Sequence, residues 1–278
     1  KRIYIGLAPL VDYMSRGDKP AEKDPARLVF SADNGVTWKV IADLPGKSVL
    51  GIFPDYKNKQ VTVFTESACT RINEISGEIK ILPLPVKKII AVDGGNSRKE
   101  SLIYIQSELT IDKAEFKGGM FVSGDLGVTW EQVNEGLLKG TAAGKVPDFR
   151  QGMAVCGSQP EVVYISTINP VINAAGQNEE IYCIYKTINA GKNWEPVLLS
   201  STPGGYITNN FKGSWMEKSF DPGWGGAPID LGVAAGNPDV CYAGDNGRGY
   251  KTSDGGKTWE QLYSHNNPDG SYSNTGLN

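Results

Sequence analysis

The chain has 278 residues, 40% apolar and 21% charged, with 34 glycines and a net charge of −3. That is enough apolar material for a large core. The near-neutral balance, with no basic run beyond Lys87–Lys88, excludes a nucleic-acid partner. No apolar run approaches the ~20 residues of a membrane helix, which argues against a membrane partner. The first residue is Lys and no signal-peptide pattern follows it, so the chain reads as a processed product or a piece of something longer. Four cysteines, Cys69, Cys156, Cys183 and Cys241, each sit in or beside an apolar run and read as buried free thiols that leave the compartment undecided.

Taken in order, Arg2–Ala8 is the first predicted strand, followed by a polar loop over Val11–Pro25. Arg27–Ser31 and Trp38–Ile41 flank a turn reading S-A-D-N-G-V-T-W. Val49–Phe53, Val61–Thr65, a stretch near Thr70–Ile75 and Glu78–Leu82 make a four-strand unit without that turn. Ile89–Val92, Leu102–Gln106, Gly119–Ser123 and Thr129–Val133 make the next, with S-G-D-L-G-V-T-W between its last two strands. Met153–Gly157, Val162–Ser166, Ile181–Thr187 and Trp194–Leu199 carry T-I-N-A-G-K-N-W. Leu231–Ala235, Val240–Gly244, Gly249–Thr252 and Thr258–Tyr263 carry T-S-D-G-G-K-T-W.

Four copies of (S/T)-x-D-x-G-x-T-W in one chain mark an internal repeat. The turn has a mechanical reading. Asp33, Asp125, Asn189 and Asp254 accept hydrogen bonds from backbone N–H groups just downstream. The glycine two residues later supplies a positive φ. Trp38, Trp130, Trp194 and Trp259 then start a strand and cover the turn and the sheet behind it. These eight residues read as structural. Asn193 in place of Thr weakens the third copy.

The repeat resembles the Asp-box, or BNR repeat. Leu231–Trp259 is similar to a whole blade of an Asp-box β-propeller, a scaffold found in sialidases, sortilin-type receptors, glycoside hydrolase family 74 and several polysaccharide lyases. The resemblance implies an all-β propeller of four-stranded blades filling residues 1–278 as one domain. About five blades are visible. The first lacks its innermost strand, and Ser271–Asn278 is too polar to supply it. The expectation is a chain incomplete at both ends and belonging to a seven-bladed propeller, with a closed five-bladed ring as the rival.

Function concentrates in long loops on a rigid scaffold. The long predicted loops, Val11–Pro25, Ser107–Lys117, Glu135–Arg150, Thr167–Glu180 and Ser200–Asp230, all fall on one face of such a propeller. The last is an insertion on the functional face, about thirty residues long, and holds Tyr206, Phe211, Trp215, Phe220 and Trp224. Trp215 and Trp224, the two tryptophans outside the boxes, suit stacking on sugar rings, or on the propeller top itself. Asp230, Asp245 and Arg248 should point to the same entrance. Tyr242–Gly249 resembles the family 74 segment Y-A-R-T-D-x-G-G that carries a catalytic Asp; the match needs a one-residue gap, so Asp245 or Asn246 falls on it. Arg150 is placed to bind a carboxylate or to form an ion pair. His265, the only histidine, follows the last strand and is a candidate proton-transfer group if it is more than a solvated loop residue. No metal-ligand spacing, P-loop or dinucleotide fingerprint occurs, so no cofactor is expected.

The first functional reading is a carbohydrate-active enzyme, a glycoside hydrolase or polysaccharide lyase, or a part of one. Catalytic candidates are Asp230, Asp245 and His265. Substrate-binding candidates are Trp215, Trp224, Arg150, Arg248 and Tyr206, with a poly- or oligosaccharide as partner in an extracellular or periplasmic setting. The alternative is a non-catalytic glycan- or protein-binding propeller, and an assembly factor is a third reading. Sialidase is excluded, because the Arg-Ile-Pro motif is missing. Oligomeric state is open.

Overall fold

The computed structural model describes residues 2–8, 25–97, 101–113, 115–139, 141–172, 175–199, 230–245 and 248–264. Among these the chain is all-β, with nineteen strands in five antiparallel sheets and no helix. The first sheet has three strands, β1 (Ile3–Leu7), β2 (Ala26–Ser31) and β3 (Lys39–Leu44). The second is β4 (Val49–Asp55), β5 (Gln60–Thr65), β6 (Cys69–Asn73) and β7 (Ile79–Leu82). The third is β8 (Ala91–Asn96), β9 (Ser101–Asp112), β10 (Glu115–Ser123) and β11 (Glu131–Gln132). The fourth is β12 (Asp148–Val155), β13 (Val163–Ile172), β14 (Asn178–Thr187) and β15 (Glu195–Leu199). The fifth is β16 (Asp230–Ala234), β17 (Asn237–Asp245), β18 (Arg248–Thr252) and β19 (Glu260–Ser264). Every sheet is a meander in sequence order, and the first strands of consecutive sheets touch: β4 with β8, β8 with β12, β12 with β16. The four repeat turns join the last two strands of the first, third, fourth and fifth sheets.

Sheets stacked in this way bury both faces, and the strands show it. In β13, Val163 and Ile165 pack toward the third sheet while Tyr164 and Ile168 pack toward the fifth. A strand buried on both faces reads as a continuous apolar run rather than an alternation, which is what V-V-Y-I at Val162–Ile165 supplies. Four apolar clusters lie in order between the five sheets. All four cysteines are free and buried within them. Burial pushes the thiols of Cys69 and Cys241 up to about 12, so neither is a nucleophile.

Two predicted loops are strands instead. Ser107–Lys117 is the upper part of a β9–β10 hairpin whose pairing runs out to Asp112↔Glu115. Thr167–Glu180 is the upper part of a β13–β14 hairpin paired out to Ile172↔Asn178. Both project beyond the first strand of their own sheet; Ser107, Leu109, Thr167, Ile168 and Asn169 are still buried there, and the tips are exposed. Their polar composition reflects exposed tips and buried hydrogen-bonded residues such as Thr167 and Asn169, not a lack of strand structure. Glu135–Arg150 is likewise shorter than expected, since β12 begins at Asp148.

Candidate functional site

The repeat turns share one hydrogen-bond pattern. In the first, Asp33 accepts from the Thr37 amide at 2.9 Å, the Thr37 hydroxyl at 2.6 Å and the Ser31 hydroxyl at 2.8 Å. Asp125 does the same with Thr129 at 2.9 and 2.6 Å and Ser123 at 2.8 Å, and Asp254 with Thr258 at 2.8 and 2.5 Å and Thr252 at 3.0 Å. Asn189 takes the Asn193 amide at 3.1 Å, but the hydroxyl tie is missing because Asn193 replaces Thr. In each turn the opening Ser or Thr accepts the glycine amide. The residue before that glycine also has a positive φ: Asn34 61°, Leu126 59°, Ala190 58° and Gly255 76°. The Thr37 hydroxyl and amide and the Ser31 hydroxyl hold the Asp33 carboxyl down at about 2. At Asp125 burial opposes the shift, but Thr129, Ser123 and the Val128 amide outweigh it and the carboxyl again lies at about 2. Carboxylates tied down in this way are turn braces, not proton donors.

The tryptophans do not all behave alike. Trp194 and Trp259 are fully buried, and each indole N–H donates to a carbonyl of the preceding sheet, Val133 at 2.7 Å and Val197 at 3.0 Å. Trp130 packs edge-on against Phe64 of the second sheet at 5.9 Å, with its indole N–H unpartnered. Trp38, in the first sheet, is 40% exposed and donates to Gly35 of its own turn at 3.0 Å. Among the described residues no sheet lies behind Trp38, so its ring meets only its own sheet.

At the opposite end of the sheets the elaboration is uneven. The β9–β10 and β13–β14 hairpins rise well past β8 and β12, whereas the fifth sheet ends one rung beyond β16, at Asp245↔Arg248. Residues 133–139 and 141–147 are tied to both the third and the fourth sheets. Asn134 accepts the Met120 amide at 2.8 Å and donates to Gly118 at 2.9 Å. The Ala142 amide donates to Pro170 on the tall hairpin at 2.7 Å. The Tyr185 hydroxyl donates to Leu137 at 3.0 Å and also contacts the Lys139 carbonyl. Asn169 donates to the Tyr185 oxygen at 2.8 Å and accepts from Thr167 at 2.6 Å. This buried network makes the fourth-sheet hairpin a rigid wall beside the low rim of the fifth sheet.

The expected site residues are gathered in part on that rim. Asp230 opens β16 and is exposed; it pairs with Gly244, next to Asp245. Asp245 stands opposite Arg248 in register, and Arg248 opposite Ser264. Arg150 lies near the start of β12, in the irregular stretch between Phe149 and Met153, and β12 adjoins β16. Asp230, Asp245, Arg248 and Arg150 thus hold backbone positions at one end of two neighbouring sheets. Tyr206, Trp215, Trp224 and His265 lie outside the described residues. No group of three or more His, Cys, Asp or Glu able to hold a metal occurs among the described residues.

One acidic residue escaped the sequence reading. Asp93 on β8 accepts the Gly94 amide at 2.7 Å and, across the sheet boundary, the Val155 amide of β12 at 2.8 Å. Burial raises its carboxyl above the usual range despite those two bonds. The signal was a lone Asp inside the strand-like A-V-D-G-G. Gln106 on β9 is fully buried, and both polar atoms of its amide lack a protein partner.

No family model and no curated protein sequence matches the chain. Solved structures do. The Niastella koreensis enzyme of glycoside hydrolase family 74 superposes with a TM-score of 0.56 at 13% identity, over 84% of this chain and 34% of that enzyme. The family 74 xyloglucanase of Xanthomonas campestris gives 0.55 at 16% identity, over 95% of this chain and 37% of the enzyme. The fold resembles that of these enzymes. The chain spans about a third of their length, and at such identities the likeness is one of architecture.

Proposed function

We propose that the chain is a carbohydrate-active protein of the glycoside hydrolase kind, or the part of one that carries a propeller face, with a polysaccharide lying over the rim of the fifth sheet. The four repeat turns are read as Asp-boxes of a single propeller domain, and an extracellular or periplasmic setting follows from a polymeric substrate. What supports the proposal is the backbone placement of Asp230, Asp245, Arg248 and Arg150 at one end of adjacent sheets, beside a hydrogen-bonded hairpin. The likeness to family 74 enzymes supports it at the level of fold.

Hydrolysis of a glycosidic bond needs two carboxyl groups, one protonated and one ionised. In this reading Asp245, opposite Arg248 in strand register, takes the ionised role. Asp230 takes the acid role. It is exposed in the free protein, where a substrate lying over the rim can reach it. Arg150 and Arg248 orient hydroxyl or acidic groups through forked hydrogen bonds. Trp215, Trp224 and Tyr206 provide apolar platforms and His265 a second proton carrier in this reading; all four remain part of the proposal.

A polysaccharide panel including xyloglucan, read for new reducing ends and for the absorbance of unsaturated products, tests it. The expected result is reducing ends without unsaturation, lost in Asp230→Asn and Asp245→Asn at unchanged Tm. Unsaturated products would mean a lyase. Binding without cleavage would mean a non-catalytic glycan-binding propeller, and the absence of both would refute the site.

A further inference from the structure

Two of the sheets break their ladders near the boundary between the third and the fourth. β10 leaves its register with β9 between Gly118 and Met120. A side-chain amide mends that break: Asn134 takes the Met120 amide at 2.8 Å and donates to the Gly118 carbonyl at 2.9 Å. Gly119 makes the room, since a Cβ there would collide with the Asn134 oxygen. The break in β12 is larger. Phe149 pairs with Thr167 and Met153 with Ile165, so residues 150–152 stand opposite Ser166 alone. Residues that leave a ladder need partners from outside it for their amides and carbonyls.

A second buried amide faces the β12 break. Gln106 is opposite Met120 in β10 and opposite the small Ala91 in β8. Residues opposite each other in an antiparallel pair share a face. Tyr104 and Met120, on that face, pack in one cluster with Phe149 and Met153, the two ends of the break, so Gln106 looks toward it. Two residues along β8, Asp93 crosses the same boundary and takes the Val155 amide of β12 directly, at 2.8 Å. Gln106 makes no such direct contact. It is fully buried, and among the described residues neither its amide oxygen nor its nitrogen has a partner. A core amide left with donor and acceptor both unmet is costly. A polar gap too wide for direct contact is where a bridging water belongs.

We propose that ordered water joins the Gln106 amide to the backbone of residues 150–152, and that Gln106 is thereby a positioning residue for the bulge that carries Arg150. The water serves β12 as the Asn134 amide serves β10. A buried water makes about three hydrogen bonds, and the Gln106 oxygen, the Gln106 nitrogen and the bulge backbone supply them. The third and fourth sheets are then fastened at two levels of their inner strands, by Asp93 directly and by Gln106 through water. The water site stands on the buried amide and the break in β12. Its consequence for a glycan, through Arg150, rests on the reading of the rim given above.

A high-resolution crystal structure of the glycan-free parent and hydrogen–deuterium exchange of Gln106→Met provide the test. The crystal should show water within hydrogen-bond distance of both the Gln106 amide and the backbone of 150–152. An amide bonded directly to the Arg150 or Gln151 side chain, or one with no water beside it, would overturn the proposal. Gln106→Met keeps most of the side-chain volume and removes both polar atoms. Exchange at residues 150–152 should then quicken by roughly tenfold, with Val163–Ile168 of β13 unchanged and a lower urea midpoint. A variant with unchanged exchange and a higher midpoint is what a simply unpartnered amide predicts, and would refute the bridge. Should the variant fail to fold, the parent crystal still decides. Neither readout uses a glycan, so failure of the water site and failure of the rim as a binding site are told apart. An oligosaccharide that binds the parent should bind Gln106→Met several-fold more weakly, and equal affinity would overturn the positioning role.

Discussion

Replacing Trp259 and Trp38 by alanine, one at a time, separates a box tryptophan with a sheet behind it from one without. Trp259 is fully buried between the fourth and fifth sheets and its indole holds the Val197 carbonyl. A tryptophan buries roughly 200 Å², worth about 5 kcal/mol at ~25 cal/mol per Å². Alanine retains part of that, and the freed carbonyl costs about 1 kcal/mol, so Trp259→Ala should lose about 4 kcal/mol, within the ~3–5 typical of such changes. Trp38 is 40% exposed and bonded only to its own turn, so its alanine variant should lose about half as much, roughly 2 kcal/mol. Urea unfolding of dilute protein reads both. With a slope near ~2 kcal/mol/M, the midpoints should fall by about 2 M and about 1 M. Equal losses, or a loss under about 1 kcal/mol for Trp259→Ala, would refute the stacked-sheet reasoning.

Three further outcomes follow. Asp33 and Asp125 have folded-state values of about 2 against an unfolded value of about 3.9, so their stabilising effect is complete above about pH 4 and is lost as pH falls toward 2. Tm measured across that window should drop, and less steeply in Asp125→Asn; a flat profile in the parent would contradict the turn geometry. Asp93 runs the other way: its carboxyl is raised by burial, so its contribution weakens as pH rises through the folded value, and Asp93→Asn, which sets an amide donor against one of two N–H groups, should cost about 1–3 kcal/mol in urea melts near neutrality. Ala190 holds a φ of 58° where the last box has Gly255, so Ala190→Gly should stabilise the protein by about 1 kcal/mol, and a lower Tm would show that its packing matters more than its backbone.

What was legible in the sequence was local. The Asp33 and Asp254 turns lie within eight residues, and their donors, acceptors and glycines could be assigned without knowing anything distant. The second left-handed position was missed because Asn34, Leu126 and Ala190 share no residue type. The upper halves of β9–β10 and β13–β14 were mistaken for loops because their tips are exposed and several of their buried positions, Ser107, Thr167 and Asn169, are polar. Asp93 could not be interpreted because its partner amide, Val155, is 62 residues away. Of the candidate site, the pairing of Asp245 with Arg248 follows from a tight turn. The placement of β12, which carries Arg150, beside β16, which Asp230 opens, depends on sheet packing that no local pattern encodes.

Hydrogen–deuterium exchange with and without a saturating concentration of the tightest-binding oligosaccharide from the panel tests most directly where the glycan sits. Protection should appear at the start of β12 over residues 148–152, at 230–232 and at 244–250, with the box turns unchanged. Protection confined to the turns at 31–38, 123–130, 187–194 or 252–259 would place the glycan at the opposite end of the sheets and contradict the proposed site.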